Sequence, residues 1–528
     1  MKILSSKEKK ILDSIVIKNE PIESIELMER VALNIASTIV NKYNLRKKRF
    51  LIICGKANNG GDGLALARIL VKNNVNAEVA ILNFSDNITN ECKSNLEIFN
   101  KLYPHRLSII DNPDDLSCDN YDIIVDAIFG TGLNKPVQGY YADIINKINA
   151  FSSNPEKKVF SIDIPSGIFG EDNSENSGAI IKANTTFFVH TPPLSSMYCE
   201  NRMYFGNLER IILAENSFIE NIVTENFFDN NCISYNIIDE KKIQKIFPIR
   251  NDFYHKNNFG HPLLIAGSYG KAGAAILSAK ACLKSGVGLL SAYVPKALVE
   301  ILQCSVPEMM IEEDSQNYFS QFDNLNTENI HHCYGIGPGL GKNPETIEGL
   351  KKFLLIVKND KRFNECRFVF DADALNSLSM IENFQDLIPN NTILTPHPKE
   401  FERLFGHFDN SSDKINFLLD FCKKINSVVI YKDSTTIIVG PGNEVFFNIG
   451  NNSGMAKAGS GDVLTGILTA FQAQCDNPVH NAVLAVYLHS LSGKIASKKI
   501  GKISMTASDI VDNLPPVFKY FESLNCKF

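Results

Sequence analysis

Residues 49–70 read RFLIICGKANNGGDGLALARIL, and this stretch decides the fold. An apolar run of strand length, Arg49–Cys54, enters a loop with four glycines, and apolar residues then recur at helical spacing. Strand, glycine-rich loop and helix together are the opening of a βαβ unit. Glycines there let main-chain N–H groups approach an anionic ligand, and a helix N-terminus favours phosphate. The loop is no Walker A sequence, because Lys-Ser/Thr does not follow Gly60. It is no complete GxGxxG either, since Gly61-x-Gly63 leads to Leu66. A plain strand–helix turn needs one or two glycines, and this loop also interleaves Asn58, Asn59 and Asp62.

The same alternation extends outward, which predicts parallel sheets. Further strands are expected at Ala77–Leu82, Asp122–Asp126, Val159–Asp163 and Thr185–His190. Upstream, Ile22, Ile25, Met28, Ala32, Ile35 and Ile39 mark one face of a helix. A polar stretch, roughly 215–231, interrupts the pattern and places a boundary between domains 1–222 and 223–528. The second part restarts with strands expected at Pro262–Ala266, Leu289–Val294, Cys333–Ile336, Phe368–Asp371, Thr392–Thr395 and Val428–Tyr431. A strand pair around Thr435–Phe447 and a helix from about Gly461 follow.

Composition agrees. At roughly 150 residues per domain, 528 residues suggest three domains or two large α/β ones. Apolar residues make up 44% and charged residues 21%, enough for a sizeable core. The net charge of −6 offers no footprint for nucleic acid or an anionic membrane. The 12 cysteines are scattered without a CxxC pair, so free thiols are expected. MKILSSKEKK puts lysines where a signal peptide needs apolar residues, and no apolar run approaches the roughly 18 residues that span a bilayer. A cytoplasmic protein is the expectation.

Two more loops of the first part fall at strand ends, where open parallel sheets place ligands. One runs from Asp126 through Gly130, Thr131, Gly132, Leu133, Asn134 and Lys135 to Pro136; the other is Asp163-Ile-Pro-Ser166-Gly167. NNGGDG, DAIFGTGL and DIPSG, in this order, resemble the epimerase module of the NAD(P)H-hydrate repair enzymes. That family repairs NADHX and NADPHX, cofactors damaged by water adding at C6 of the nicotinamide ring. The resemblance implies a Rossmann-like three-layer domain in which Asn58, Asn59, Gly60, Gly61, Asp62 and the Gly130–Pro136 loop cradle the dinucleotide. It also implies a potassium ion on Asn59, Asp126 and Ser166, and Asp163 as the proton-transfer residue.

In the second part, Gly459-Ser-Gly461-Asp462 leads into a helix, so N–H groups and the helix dipole converge. An Asp there would repel phosphate unless it worked as a base, taking a proton from a hydroxyl while the amides hold a migrating phosphoryl group. GSGD resembles the anion hole of the ribokinase-like superfamily. Ala266-Gly-Ser268, Gly337-Pro-Gly339-Leu-Gly341, Asp371-Ala-Asp373-Ala-Leu-Asn376 and Thr395-Pro-His397-Pro resemble its NAD(P)H-hydrate dehydratase branch, in which a nucleotide phosphorylates the C6 hydroxyl and phosphate is eliminated. By that resemblance Ala266, Gly339, His397 and Asp462 meet the hydrate, with Asp462 as base. Lys432, Asp433, Ser434, Thr435, Thr436 and Gly461 meet the nucleotide, which is expected with Mg²⁺. A fused arrangement implies ADP as donor, and relatives imply a homo-oligomer. The chain departs from the branch at Lys399, Ala458 and Asp433, where glycine is usual. The alternatives are a ribokinase-like vitamin or nucleoside kinase, and a first domain that binds ligand without catalysis.

Overall fold

The computed structural model describes residues 1–19, 22–43, 48–83, 87–211, 233–314, 316, 318–319, 331–450 and 452–525. The chain divides into two compact units, Met1–Asn230 and Asn231–Phe528. The boundary expected at 222/223 lies outside the described residues.

The first unit is built on a seven-stranded sheet: β1 (Arg49–Cys54), β2 (Asn76–Leu82), β3 (Leu107–Ile110), β4 (Ile123–Ala127), β5 (Lys158–Ile162), β6 (Thr185–Val189) and β7 (Asn207–Ile211). Their order is β3-β2-β1-β4-β5-β6-β7, every neighbour parallel. The direction of winding reverses between β1 and β4, which opens a crevice at the carboxyl ends of those strands. Successive side chains of β1 face opposite sides. Phe50, Ile52 and Cys54 pack with Val31, Ile35 and Ile39 of the helix Ser24–Lys42 and with Leu66 and Leu70 of the helix Asn58–Lys72. Leu51 and Ile53 pack instead with Ile144, Ile145 and Ile148 of the helix Tyr140–Ser152. The result is three layers, each buried aliphatic side chain worth roughly 1.5–3 kcal/mol.

The second unit holds a ten-stranded sheet: β8 (Ser234–Ile237), β9 (Leu263–Ile265), β10 (Ser291–Pro295), β11 (Met310–Asp314), β12 (Cys333–Ile336), β13 (Arg367–Phe370), β14 (Thr392–Leu394), β15 (Val428–Tyr431), β16 (Thr436–Val439) and β17 (Glu444–Asn448). Their order is β11-β10-β9-β12-β13-β14-β15-β16-β17-β8, with winding reversed between β9 and β12. Only the β15–β16 and β16–β17 pairings are antiparallel. Val369, Val428 and Ile430 pack under Val463, Ile467 and Phe471 of the helix Ser460–Gln474. On the opposite face Tyr334 stacks on Phe368 at 5.2 Å, with Phe353 of the helix Pro344–Asn359 beside them.

The expected strands are all present, with ends moved by at most two residues. Four strands were not anticipated, namely β3, β7, β8 and β11, and they are the outermost strands of the two sheets. The ten described cysteines are free, and no helix among the described residues is long and apolar enough to cross a membrane.

Glycine in the first loop has a packing reason that the sequence did not reveal. A Cβ on Gly63 would sit 2.6 Å from the Ala127 Cβ and 2.8 Å from the Cys54 Sγ, so the helix lies directly on β1 and β4. Gly63→Ala is expected to cost about 1–3 kcal/mol through this overlap, read as a lower urea midpoint by circular dichroism.

Candidate functional sites at the two sheet edges

In the first unit, the three motifs leave the carboxyl ends of β1, β4 and β5 and meet at the crevice. Asn58–Asp62 opens its helix, and the N–H groups of Asn58, Asn59 and Gly60 precede its first main-chain hydrogen bond, Gly61 N–H to the Ala57 carbonyl at 3.1 Å. Asn59 is buried, and its Nδ2 donates to the Phe129 carbonyl at 2.8 Å. Its Oδ1 is buried without a hydrogen-bond partner. Asp126, fully buried, accepts from the Ser166 Oγ (2.5 Å), the Ser166 N–H (2.8 Å), the Ser161 Oγ (2.8 Å) and the Ile128 N–H (3.3 Å). Burial pushes its pKa up while those hydrogen bonds pull the other way.

The oxygen atoms of Asn59, Asp126 and Ser166 therefore sit together, and an orphaned amide oxygen among them suits a hard monovalent cation. Asp126 would contribute charge more than a free lone pair, because four hydrogen bonds already occupy its carboxylate.

Asp163, expected as the last residue of β5, instead stands one residue beyond it at φ +65°. The Ile164 N–H bonds the Ile162 carbonyl at 2.8 Å, closing a tight turn across it. Such a conformation costs about 1–3 kcal/mol for a residue with a side chain and clusters at working sites. It aims Asp163 back at the crevice, where its Oδ2 accepts the Thr131 N–H at 2.9 Å. Burial, then Asp163 and Asp13, lift the Asp62 carboxyl well above the usual range. Of the Gly130–Pro136 loop, Gly132, Asn134, Lys135 and Pro136 are exposed at the rim, as is Asn58.

In the second unit, five motifs leave β9, β12, β13, β14 and β15 at one edge. At its centre the buried Asp371 pairs with the Lys432 Nζ at 2.6 Å and accepts from the hydroxyls of Thr465 (2.6 Å) and Thr395 (2.7 Å). Burial pushes Asp371 up, but Lys432 and these hydrogen bonds outweigh it and hold the carboxyl below its ordinary value. Gly461 lies against the pair: a Cβ there would be 3.6 Å from both the Asp371 Oδ2 and the Lys432 Nζ. Gly459 caps the helix at φ +89°, where a Cβ would strike Leu277 at 2.7 Å, so only glycine fits. Asp462 follows, its pKa raised to about 6 by burial first and by Asp371 next, with Lys432 opposing.

A cleft of about 980 Å³ is lined by His397, Lys432, Asp433, Ser434, Thr436 and Gly461 among others. Thr435 is not among these; its side chain turns inward and is buried. Ala266 is fully buried and offers the edge only main-chain groups. Gly339 and Asp462 lie outside the cleft lining, Asp462 directly after the lining residue Gly461. The Ser268 Oγ donates to the Gly339 carbonyl at 2.7 Å, and the Gly341 N–H donates to Asp373 at 2.9 Å. His397 serves first as a helix cap, its Nδ1 accepting from the Lys399 and Glu400 N–H groups, which leaves the ring proton on Nε2, 3.5 Å from the Glu400 Oε1. Glu400, buried beneath it, is raised to about 7 by burial.

The three departures fit this geometry. Lys399 is exposed and contributes only its N–H. Ala458 is exposed and is not among the residues with positive φ. Asp433 turns onto its own loop, accepting the Ser434 N–H at 2.6 Å. Among the described residues no three His, Cys, Asp or Glu side chains are arranged to hold a metal. Sequence reading did not assign a role to Asp371, Thr465 or Glu400, and nothing in it pointed to the N-terminal helix Ser6–Asn19.

Two α/β units with glycine-rich turns and strained or raised carboxylates at their switch points define a nucleotide-handling enzyme with two sites. Residues 24–194 match the family model described as YjeF-related protein N-terminus, and residues 262–516 match NAD(P)H-hydrate dehydratase. The bifunctional NAD(P)H-hydrate repair enzyme Nnr of Moorella thermoacetica is 31% identical over 99% of this chain and 97% of its own length. That of Dictyoglomus turgidum is 30% identical over 98% of each. A dehydratase structure from Bacillus subtilis, co-crystallised with ATP and Mg²⁺, covers 54% of this chain and 99% of its own at 26% identity, with a TM-score of 0.47. The chain belongs to the family of bifunctional NAD(P)H-hydrate repair enzymes.

The raised pKa of Asp462 gives two expectations. A carboxylate that serves as a base must be ionised, so dehydratase turnover is expected to fall as pH drops below about 6. The folded-state value of Asp462 exceeds the ordinary 3.8, so the ionised carboxylate works against the fold at higher pH. Asp462→Asn is therefore expected to lower turnover by orders of magnitude, leave nucleotide affinity nearly unchanged, and raise the melting temperature at pH 8 but not at pH 4. Steady-state rates, nucleotide titration and thermal melts check these outcomes.

Proposed function

We propose that residues 1–222 interconvert the R and S epimers of NADHX and NADPHX, and that residues 223–528 dehydrate the S epimer with ADP. The observation that carries this reading is the end-to-end similarity to relatives named bifunctional NAD(P)H-hydrate repair enzymes, with residues 262–516 matching NAD(P)H-hydrate dehydratase.

In the first unit the dinucleotide lies across the first turn of the helix Asn58–Lys72 and the Gly130–Pro136 loop, whose N–H groups face its phosphates. Asp163 exchanges a proton with the hydrated ring. Potassium on Asn59, Asp126 and Ser166 would supply positive charge beside the bound ring.

In the second unit the nucleotide lies along Lys432, Asp433, Ser434, Thr436 and Gly461, with Thr435 supplying main-chain contacts. Asp462 takes the proton of the C6 hydroxyl as that oxygen attacks the β-phosphoryl group of ADP, and AMP leaves. The N–H groups at the start of the helix Ser460–Gln474 hold the migrating group. Loss of phosphate from C6 and of a proton from the ring then restores NADH or NADPH. Asp371 holds Lys432 at the phosphates, and His397 orients the hydrate through Nε2.

Purified protein given both NADHX epimers, ADP, Mg²⁺ and K⁺ is expected to restore NADH absorbance completely. Asp163→Asn is expected to stall recovery near half, after correction for spontaneous epimerisation. Failure of the wild-type protein to restore any NADH would reject the dehydratase, and complete recovery at the wild-type rate by Asp163→Asn would reject the role of Asp163.

A further inference from the structure

The helix Ser6–Asn19, which precedes the segment matched by the first family model, brings a lysine into the first site. Lys9 shares the buried stripe of that helix with Leu12 and Val16 and is only 7% exposed. Its Nζ is buried without a hydrogen-bond partner, leaving the donors of an amine uncommitted. The carboxylates that act on it are Asp163 foremost, then Asp13 and Glu171, against a larger effect of burial that pulls its pKa below the ordinary lysine value.

Other charged groups lie nearby. Glu171 accepts the Ser6 N–H (2.6 Å) and hydroxyl (2.9 Å) at the start of the helix. Asp13 stands 3.4 Å from the His190 Nε2. Asp62 faces Asp163 and Asp13. The Nζ of Lys10 is 4.0 Å from where a Cβ on Gly132 would lie, so this end of the helix adjoins the dinucleotide loop. Asp163 and Lys9 thus influence each other's charge with no hydrogen bond between them. The Ser6–Glu171 and Lys10–Gly132 contacts hold this end of the helix beside the loop whose Thr131 N–H bonds Asp163. An unpaired amine in such a stripe is costly, and a methionine there would fill the same space without the penalty.

We propose that Lys9 is a further catalytic residue of the epimerase site, its amine donating a hydrogen bond to the C6 oxygen of the hydrate while Asp163 takes the proton from that oxygen. The substrate O–H bond breaks and an O–H bond forms on the Asp163 carboxyl group. The electron pair left on the C6 oxygen forms a C6=O bond as the C6–N1 bond breaks with its pair going to N1. Attack of N1 on either face of that carbonyl, with the proton returned from Asp163, closes the ring in either configuration. Negative charge that develops on that oxygen during the step does so out of water, where a hydrogen-bond donor is most effective. The inference rests on the reading of the first unit as an epimerase.

The test is the rate at which separated R and S NADHX interconvert, followed by chromatography, in wild-type protein and in Lys9→Met. Dehydratase turnover of S-NADHX and the melting temperature are measured on the same preparations. Wild-type protein that does not speed interconversion would refute the epimerase reading itself, before the variant is made. With wild-type activity in hand, Lys9→Met is expected to lose at least tenfold in kcat with KM within threefold, with dehydratase turnover unchanged and no fall in melting temperature. Interconversion within twofold of wild type would overturn the proposal. So would a parallel loss of both activities with a lowered melting temperature, which would mark Lys9 as a structural residue.

Discussion

The buried pair of Asp371 and Lys432 is the interaction around which the second site is arranged. A carboxylate with so little exposure survives ionised only because an ammonium and two hydroxyls compensate it. In return it fixes the Lys432 ammonium at 2.6 Å, next to Gly461. It also lies close enough to the Asp462 carboxyl to help raise its pKa into the range of a working base. Two carboxylates in one edge are thereby driven apart, one kept charged to hold a cation and the other poised to take a proton.

The first site uses a different device for a related problem. There Asp126 is saturated with hydrogen bonds at the end of β4 and organises the Ser166 loop, while Asp163 is turned toward the crevice by a positive φ. In both units the same topological feature supplies the place: a parallel sheet whose winding reverses, with a helix N-terminus held against the gap by glycine. The glycines do two jobs at once. Gly63 lets the helix touch β1 and β4, and Gly459 gives the left-handed turn that starts the helix Ser460–Gln474.

Much of this was legible in the sequence, and the omissions share a physical cause. Central strands such as RFLIIC are covered on both faces and read as continuous apolar runs. The four missed strands, LSII, NLERI, SYNI and MIEED, are edge strands with exposed or half-covered positions, so no such run exists. Residue type and spacing alone did not choose Asp163 over Asp126. Motif residues on loops after strands, among them Asn59, Asp163, His397 and Gly461, could be named because the motifs around them resemble those of a known family. Lys9 could not, because a lysine among MKILSSKEKK reads as a solvated charge, and only the packing of its helix reveals that it is buried. Nor could the inward turn of Thr435 be read, since Ser434-Thr435-Thr436 gives no periodicity to tell one hydroxyl from the next.

The central claim is that the carboxylate at position 462 takes the proton of the substrate hydroxyl beside a phosphoryl group held by main-chain amides. A crystal structure of Asp462→Asn with S-NADHX and a non-transferable ADP analogue tests it most directly. The account predicts the side chain at 462 within hydrogen-bond distance of the C6 oxygen, about 2.6–3.2 Å, with the β-phosphorus in line beyond it. A C6 oxygen bound out of reach of position 462, with some other side chain against it, would contradict the account.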